Sequence, residues 1–289
     1  MAPKSEAKLL MAKAEKKAAS STGWFSSASS KFEEAGDLFQ QAANEFKLEK
    51  NFTEAGDAHA KEAECREKCG ENNDAANAWW NAAKAYKQAD QPDLAVQAFS
   101  QTVTYLTKAG RFRQAADREK DIAQINLQRG DIARACESYE RAGEWYQQED
   151  ANAMANGCFK DAADLHAQID QFGQAIARYE QVADQSLNSN LTRYSVKEYW
   201  LRSGLCALAN QDSVTAKRNM DRYVSLDPSF SSTREAKLLG ALIDSVEAGD
   251  TQAFATACRD FDQVMKLDNW KTGILLKIKK TIDEEPSLT

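Results

Sequence analysis

Alanine returns every twenty residues through the middle of this chain, at positions 35, 55, 75, 95, 115, 135, 155 and 175. Four residues after each stand Phe39, His59, Trp79, Phe99, Glu119, Tyr139, Phe159 and Tyr179. Another four on stand Ala43, Ala63, Ala83, Val103, Ala123, Gly143, Ala163 and Ala183. Residues i, i+4 and i+8 lie along one face of an α-helix. A small–large–small stripe lets neighbouring helices approach closely while the large side chain fills the gap. One period therefore predicts a helix of about 16 to 17 residues, roughly 25 Å long, followed by a short turn. Turn chemistry falls where the period needs it: "EKN" at 49–51, "CGEN" at 69–72, "ADQPD" at 89–93, "AGR" at 109–111, "RGD" at 129–131, "EDAN" at 149–152 and "DQFG" at 170–173. Turns this short force antiparallel neighbours, so two periods make one hairpin of about 40 residues.

The fold class that follows is all-α: a tetratricopeptide-like α-solenoid of antiparallel helical hairpins, followed by a C-terminal helical bundle. The bundle is expected because the beat loosens after Asn190. Ser195, Tyr199 and Ser203 keep it, and then it slips by one to Ala216, Met220 and Val224. No period-two alternation points to a sheet.

Composition removes several classes of function. The chain of 289 residues carries a formal net charge of −7, so its overall field does not hold it on nucleic acid or anionic lipid. Any such contact needs a local basic patch. No apolar run approaches the roughly 20 residues of a membrane span, and "KLLMA" is too short for a signal-peptide core. A cytoplasmic protein is expected. The six cysteines, Cys65, Cys69, Cys136, Cys158, Cys206 and Cys258, are scattered among alanines and aromatics and read as buried reduced thiols.

Catalytic and cofactor motifs are missing. There is no G-x-x-x-x-G-K-[ST] and no G-x-G-x-x-G. The two histidines, His59 and His166, fall on or beside the core stripe and read as packed side chains. A zinc site imagined from His59, Cys65 and Cys69 lacks a fourth ligand. Neither an enzyme nor a cofactor is expected. A helical repeat without catalytic groups is read as a binding surface.

Several stretches resemble one family. "SSKFEEAGDLFQQAANEFK" at 29–47, "AYKQADQPDLAVQAFSQTVTYLTKAGRFRQAA" at 85–116, and "FSSTREAKLL" followed by "LDNWKTGILLKIKKTI" near the end are similar to the soluble NSF attachment proteins of the alpha type. The likeness runs along essentially the whole chain. It implies a non-catalytic adaptor that wraps an acidic SNARE four-helix bundle in several copies. The adaptor then recruits the hexameric AAA+ ATPase NSF, which unwinds the bundle. The implied division is an N-terminal helix and membrane-attachment loop over 1–30, the solenoid over 31–190, and the bundle with an acidic tail over 191–289.

The resemblance assigns three sites. Lys87, Arg111, Arg118, Lys120 and Lys160 are the implied SNARE-binding residues. Two positions where the family carries lysine fall on Asp117 and Gly157, with Arg118 and Lys160 beside them. An ordinary solvated helix face accounts equally well for any one of these cations. Asp212, Asp244, Glu247 and the penultimate Leu288 are implied in binding or stimulating NSF; the family ends in Leu plus a basic residue, whereas Thr289 follows here.

Trp24 and Phe25, in "STGWFSSASS", coincide with the family's membrane-attachment loop. By the residues alone they fit either a bilayer anchor or a loop packed under the first hairpin. Residues 1–20 carry a side-chain balance of +3, which favours an anionic membrane surface and peripheral membrane association. A general tetratricopeptide scaffold or co-chaperone clamp is the alternative for the whole chain; it would need inward Lys and Asn to hold a C-terminal carboxylate. An enzyme with a cryptic metal site is a second alternative.

Overall fold

In the computed structural model, residues 5–20 and 28–284 are described, and among them there are fourteen α-helices and no strand. Helix α1 (Glu6–Ala19) precedes the twenty-residue beat, and α2 (Ala28–Leu48), α3 (Phe52–Cys69), α4 (Asn72–Gln88), α5 (Pro92–Lys108), α6 (Phe112–Gln128), α7 (Ile132–Gln148), α8 (Asn152–Gln168) and α9 (Phe172–Leu187) follow it. Then come α10 (Val196–Ala209), α11 (Ser213–Leu226), α12 (Arg234–Glu247), α13 (Thr251–Val264) and α14 (Asn269–Glu284). Short 3-10 turns over Arg193–Ser195 and Pro228–Ser232 interrupt this second set. The chain is thus all-α, built of tetratricopeptide-like helical hairpins.

The stripe is the core. All eight alanines of its first row are fully buried, as are the alanines of its third row. In the middle row Phe39, Phe99, Phe159, Tyr139 and Tyr179 are buried rings. The polar members of that row are partnered. His59 receives Lys47 Nζ at its Nε2 (2.6 Å) and donates from Nδ1 to Glu62 (2.7 Å). Glu119 accepts both arms of the Arg141 guanidinium at 3.0 Å. Trp79 is half-buried and donates its indole N–H to Glu67 at 2.9 Å.

The turns repeat as strictly as the stripe. Lys50, Gly70, Asp90, Gly110, Gly130, Asp150 and Asp170 all have φ between 54° and 77°. Each left-handed residue donates its N–H three residues back, as Gly110 does to Thr107 O (3.0 Å). The next residue donates five back, as Arg111 does to Leu106 O (2.8 Å). This pair of bonds is the Schellman closure of a helix C-terminus. The same residue's carbonyl then accepts from the stripe alanine that starts the next helix, as Arg111 O does from Ala115 N (3.1 Å). Backbone bonds alone end one helix and begin another, and at α3, α4, α5, α6 and α9 no side chain caps the N-terminus.

That geometry makes a stability prediction. A Cβ added at Gly110 would meet nothing within 4 Å, so Gly110→Ala is opposed only by its φ of 70°. The expected loss is about 1 kcal/mol, while Lys50→Gly is expected to gain up to about 0.5 kcal/mol after the extra chain entropy of glycine. Urea midpoints of the two variants should move in opposite directions.

By contacts the chain forms two units. The first comprises Met1–Asp131 and Arg141–Asn152, and the second Ile132–Glu140 and Ala153–Thr289. In the first, each helix from α1 to α6 packs on the next in sequence. A glycine is required where α3 meets α4, since a Cβ at Gly56 would come within 2.5 Å of the Tyr86 ring. In the second, α10 is central and touches α9, α11, α12 and α14. Every residue from Trp200 to Ala209 is buried. Trp200 stacks on Tyr223 with ring centroids 5.0 Å apart, and Phe230 meets it edge-on at 4.9 Å. Side-chain caps return in this unit: Asp212, Thr233 and Asp250 accept from Thr215 N (2.8 Å), Ala236 N (3.1 Å) and Ala253 N (2.8 Å).

Candidate functional site

In the first unit a basic and aromatic surface forms where side chains of α4 and α6 meet. The polar side of α4 presents Asn77, Trp80, Lys84 and Lys87, spaced to lie on one face. Trp79 takes the stripe register, so its neighbour Trp80 must turn outward, and it is 37% exposed. Lys84 Nζ lies 3.9 Å from the Trp80 ring centroid, and the Arg118 guanidinium from α6 lies 4.8 Å from it. Burial pushes the Lys84 ammonium down from its ordinary value, and the Arg118 charge adds to this. Arg111 and Arg118 both line a cavity of about 250 Å³ together with Trp80, Asn77 and Gln114. Arg118 Nε also reaches Asp121 at 3.4 Å, and burial raises the carboxyl of Asp121.

Of the cations expected from the sequence, Arg111 and Arg118 thus share one cavity, and Lys87 is exposed on α4. Lys120 stands about 200° around α6 from Arg118 and lies 5.9 Å from the Tyr146 ring centroid instead. Asp117 accepts a hydrogen bond from the Tyr146 hydroxyl. Trp80 and Lys84 were missed by the sequence reading. The adjacency of Trp79 and Trp80 was the available signal, because two neighbouring rings cannot share one buried face.

Lys160 belongs to the second unit, where its surroundings are different. It is half-buried and bonded to Asp164 Oδ2 at 2.8 Å. Although burial works against its charge, Asp164 holds its pKa above the ordinary lysine value. Asp164 is shared. It also accepts from Arg202 Nη1 (2.9 Å) and from the Tyr179 hydroxyl. Arg202 donates further to Glu198 (2.9 Å) and Asp268 (2.6 Å) and lies over the Trp270 ring at 4.5 Å. Lys271 completes the cluster on Glu198 (2.6 Å) and Asp268 (3.0 Å). Within it three cations meet three carboxylates, and a fourth, Asp161, lies 3.4 Å from Lys160.

The acidic residues gather near the end of α14. Gln211 and Ser213, which flank Asp212, line a cavity of about 290 Å³ with Val246, Glu247, Thr281 and Ile282. Asp212 caps α11, and the backbone N–H of Thr215 holds its carboxyl below the ordinary value. Asp244 and Glu247 are exposed on the last turn of α12, with Lys217 3.8 Å from Glu247. Leu288 lies outside the described residues, and so do Trp24 and Phe25.

The helix before the Trp24–Phe25 stretch packs on α2 through Ala7, Ala14 and Met11. It leaves Lys8, Leu9, Lys13 and Lys16 exposed. Lys31 of α2 donates to Ser20 O at 2.6 Å. Among the described residues no helix is long and apolar enough to cross a membrane. The imagined zinc ligand His59 has both ring nitrogens engaged by Lys47 and Glu62. Cys65, Cys136, Cys158 and Cys206 are buried thiols, while Cys69 and Cys258 are half-buried.

Comparison with known proteins agrees with the resemblance. A model of the family described as soluble NSF attachment protein, SNAP, matches residues 5–283. The vesicular-fusion protein SEC17 of Coprinopsis cinerea is 65% identical over the full length of both chains. The alpha-soluble NSF attachment protein of Saccharomyces cerevisiae is 38% identical, with 96% of each chain covered. The human protein of that name is 36% identical over 97% of this chain and 96% of its own. With the family model spanning nearly every residue, this chain belongs to the soluble NSF attachment protein family.

Proposed function

We propose that this protein is a non-catalytic adaptor for SNARE disassembly in vesicle fusion and intracellular transport. It binds the assembled four-helix SNARE bundle, attaches to the membrane, and recruits and stimulates an NSF-type AAA+ ATPase. The observation that carries this is the family match over residues 5–283, together with relatives named as vesicular-fusion proteins. The functional division is residues 1–30 for membrane attachment, 31–190 for the solenoid and 191–289 for the bundle and tail.

The described residues support a role for the basic and the acidic surfaces. Lys87, Arg111 and Arg118, with Lys120 on another face of α6 and Lys160 in the second unit, supply local positive charge on a chain of net charge −7. Single exposed pairs contribute only about 0–1 kcal/mol each, so several must act together and binding should weaken steeply with salt. The acidic residues Asp212, Asp244 and Glu247 lie near the end of α14, from which the chain continues to Leu288. The ATPase meets this acidic surface, and Leu288 stimulates its turnover. Trp24 and Phe25 anchor the protein to an anionic membrane surface on the cytoplasmic side. Nucleic acid is not a partner, and several copies act on each bundle.

The test is reconstituted disassembly of a SNARE complex with NSF and ATP, with and without this protein. The intact chain is expected to stimulate ATP turnover and release free SNAREs. Leu288→Ala is expected to bind SNAREs normally and to fail in stimulation. Full stimulation by Leu288→Ala removes the role of the tail, and no disassembly with the intact chain removes the adaptor reading.

A further inference from the structure

Trp80 is not used by the fold as the other large rings are. It is 37% exposed, while Trp79 beside it occupies the stripe and is hydrogen-bonded. Two cations, Lys84 and Arg118, converge on its indole at 3.9 and 4.8 Å. The negative face of the ring offsets part of their mutual repulsion. Arg118 has one carboxylate partner of its own, at the long end of an ion pair. Asp121 is 3.4 Å from Arg118 Nε, longer than a charge-assisted bond, and Asp117 is engaged by Tyr146. Beside the ring opens the cavity of about 250 Å³, with Ala76 and Leu106 in its wall and both Arg111 and Asp117 on its lining. A flat apolar plate, two cations held against it and a small adjoining cavity together make a receptor for a carboxylate carried next to an apolar group.

We propose that Trp80, Lys84 and Arg118 form an aromatic clamp that docks one turn of an acidic helix of the partner bundle. A glutamate or aspartate of that helix bridges Lys84 and Arg118, and an apolar side chain one turn away lies on the indole and over the cavity. The inference rests on the proposed SNARE-bundle partner and names what part of that partner this surface reads. Charge complementarity selects the occupant, since the implied bundle is acidic on its surface. Tryptophan and arginine are the side chains that dominate interface energetics when they sit at the centre of a patch.

The test is affinity of the full-length protein for a soluble, assembled SNARE four-helix bundle, with indole fluorescence recorded alongside. Trp80→Ala is expected to weaken binding about 30-fold. Trp80→Phe keeps a π-face and is expected to lose less than about 5-fold. Lys84→Gln should weaken binding in the wild-type background and have little further effect beside Trp80→Ala, because the two act as one unit. Lys87→Glu with Arg111→Glu serves as the independent check on the basic face. Wild-type affinity in Trp80→Ala, with binding lost in the charge-reversed double variant, overturns the clamp and leaves the adaptor reading standing. Wild-type affinity in both overturns the clamp and the basic-face reading together. Should Trp80→Ala melt early, Trp80→Phe and Lys84→Gln decide by the same criteria.

Discussion

Replacing Trp24 and Phe25 together by serine is expected to slow disassembly of membrane-anchored SNARE complexes by about 10²-fold, while soluble complexes are disassembled at the wild-type rate. The magnitude follows from burial and multivalency. One large apolar side chain moved out of water contributes about 1.5–3 kcal/mol, so two hold a single copy at roughly millimolar to high-micromolar affinity. Aromatic rings suit the headgroup interface, and the exposed Lys8, Lys13 and Lys16 of α1 add attraction to anionic lipid. One copy alone would leave the surface quickly. Several copies held around one membrane-anchored bundle convert each later attachment into an intramolecular event, which raises overall avidity by about 10²–10⁴. The double substitution removes the apolar part from every copy at once. Equal slowing of anchored and soluble complexes would show that the two rings support the fold or the bundle contact instead.

The second large effect is on stability. Arg202→Ala is expected to destabilise the second unit by about 3 kcal/mol, because it strips the common partner from Asp164 and Glu198, which stay largely out of water, and from the more exposed Asp268. Arg202 has a side chain only 8% exposed and holds Asp164, Glu198 and Asp268. Without it, Lys160 and Lys271 face three carboxylates. Arg202→Lys restores the charge but not the fork, and should recover only part of the loss. Urea unfolding, with hydrogen exchange followed at α10, reads both variants; an unchanged midpoint for Arg202→Ala would remove the cluster from the stability of this unit.

The same cluster sets an acid limb. Burial pushes the Asp268 carboxyl up, but the Lys271 backbone N–H and ammonium and the Arg202 charge together hold it below its ordinary value. A carboxyl depressed in the folded state stabilises fully above its unfolded pKa and loses that contribution as pH falls through the folded one. The loss is therefore expected below about pH 4.

The helical class and the register of the stripe were legible before any coordinates. The reason is physical: helices can cross closely only where side chains are small, so alanine is forced into a fixed register and leaves a period that composition cannot blur. All eight first-row alanines are fully buried as a result. The left-handed turn residues were only partly legible. Glycine and aspartate at those positions follow local preference, but Lys50 and Gln211 also take positive φ, and neither side chain favours it. There the backbone bonds of the turn decide the conformation.

Asp164, the partner of Lys160, is four residues on, but what buries the pair is not local. The indole N–H of Trp270 that closes over Asp164 comes from 106 residues further along the chain. Trp80 could have been found. The reasoning that makes Trp24–Phe25 conspicuous, two adjacent rings and one buried face, applies unchanged to Trp79–Trp80.

The turn geometry also limits how such a chain can lengthen. One twenty-residue period, not a hairpin, is the unit that the stripe and the left-handed residue repeat, and each turn is closed by main-chain atoms that any sequence supplies. A single duplicated period would therefore join smoothly at both ends. It would also reverse the direction of every helix after it and put each downstream polar face on the wrong side. Only insertions of two periods preserve both the joints and the orientation, so growth by gene duplication in a repeat of this kind is confined to steps of forty residues.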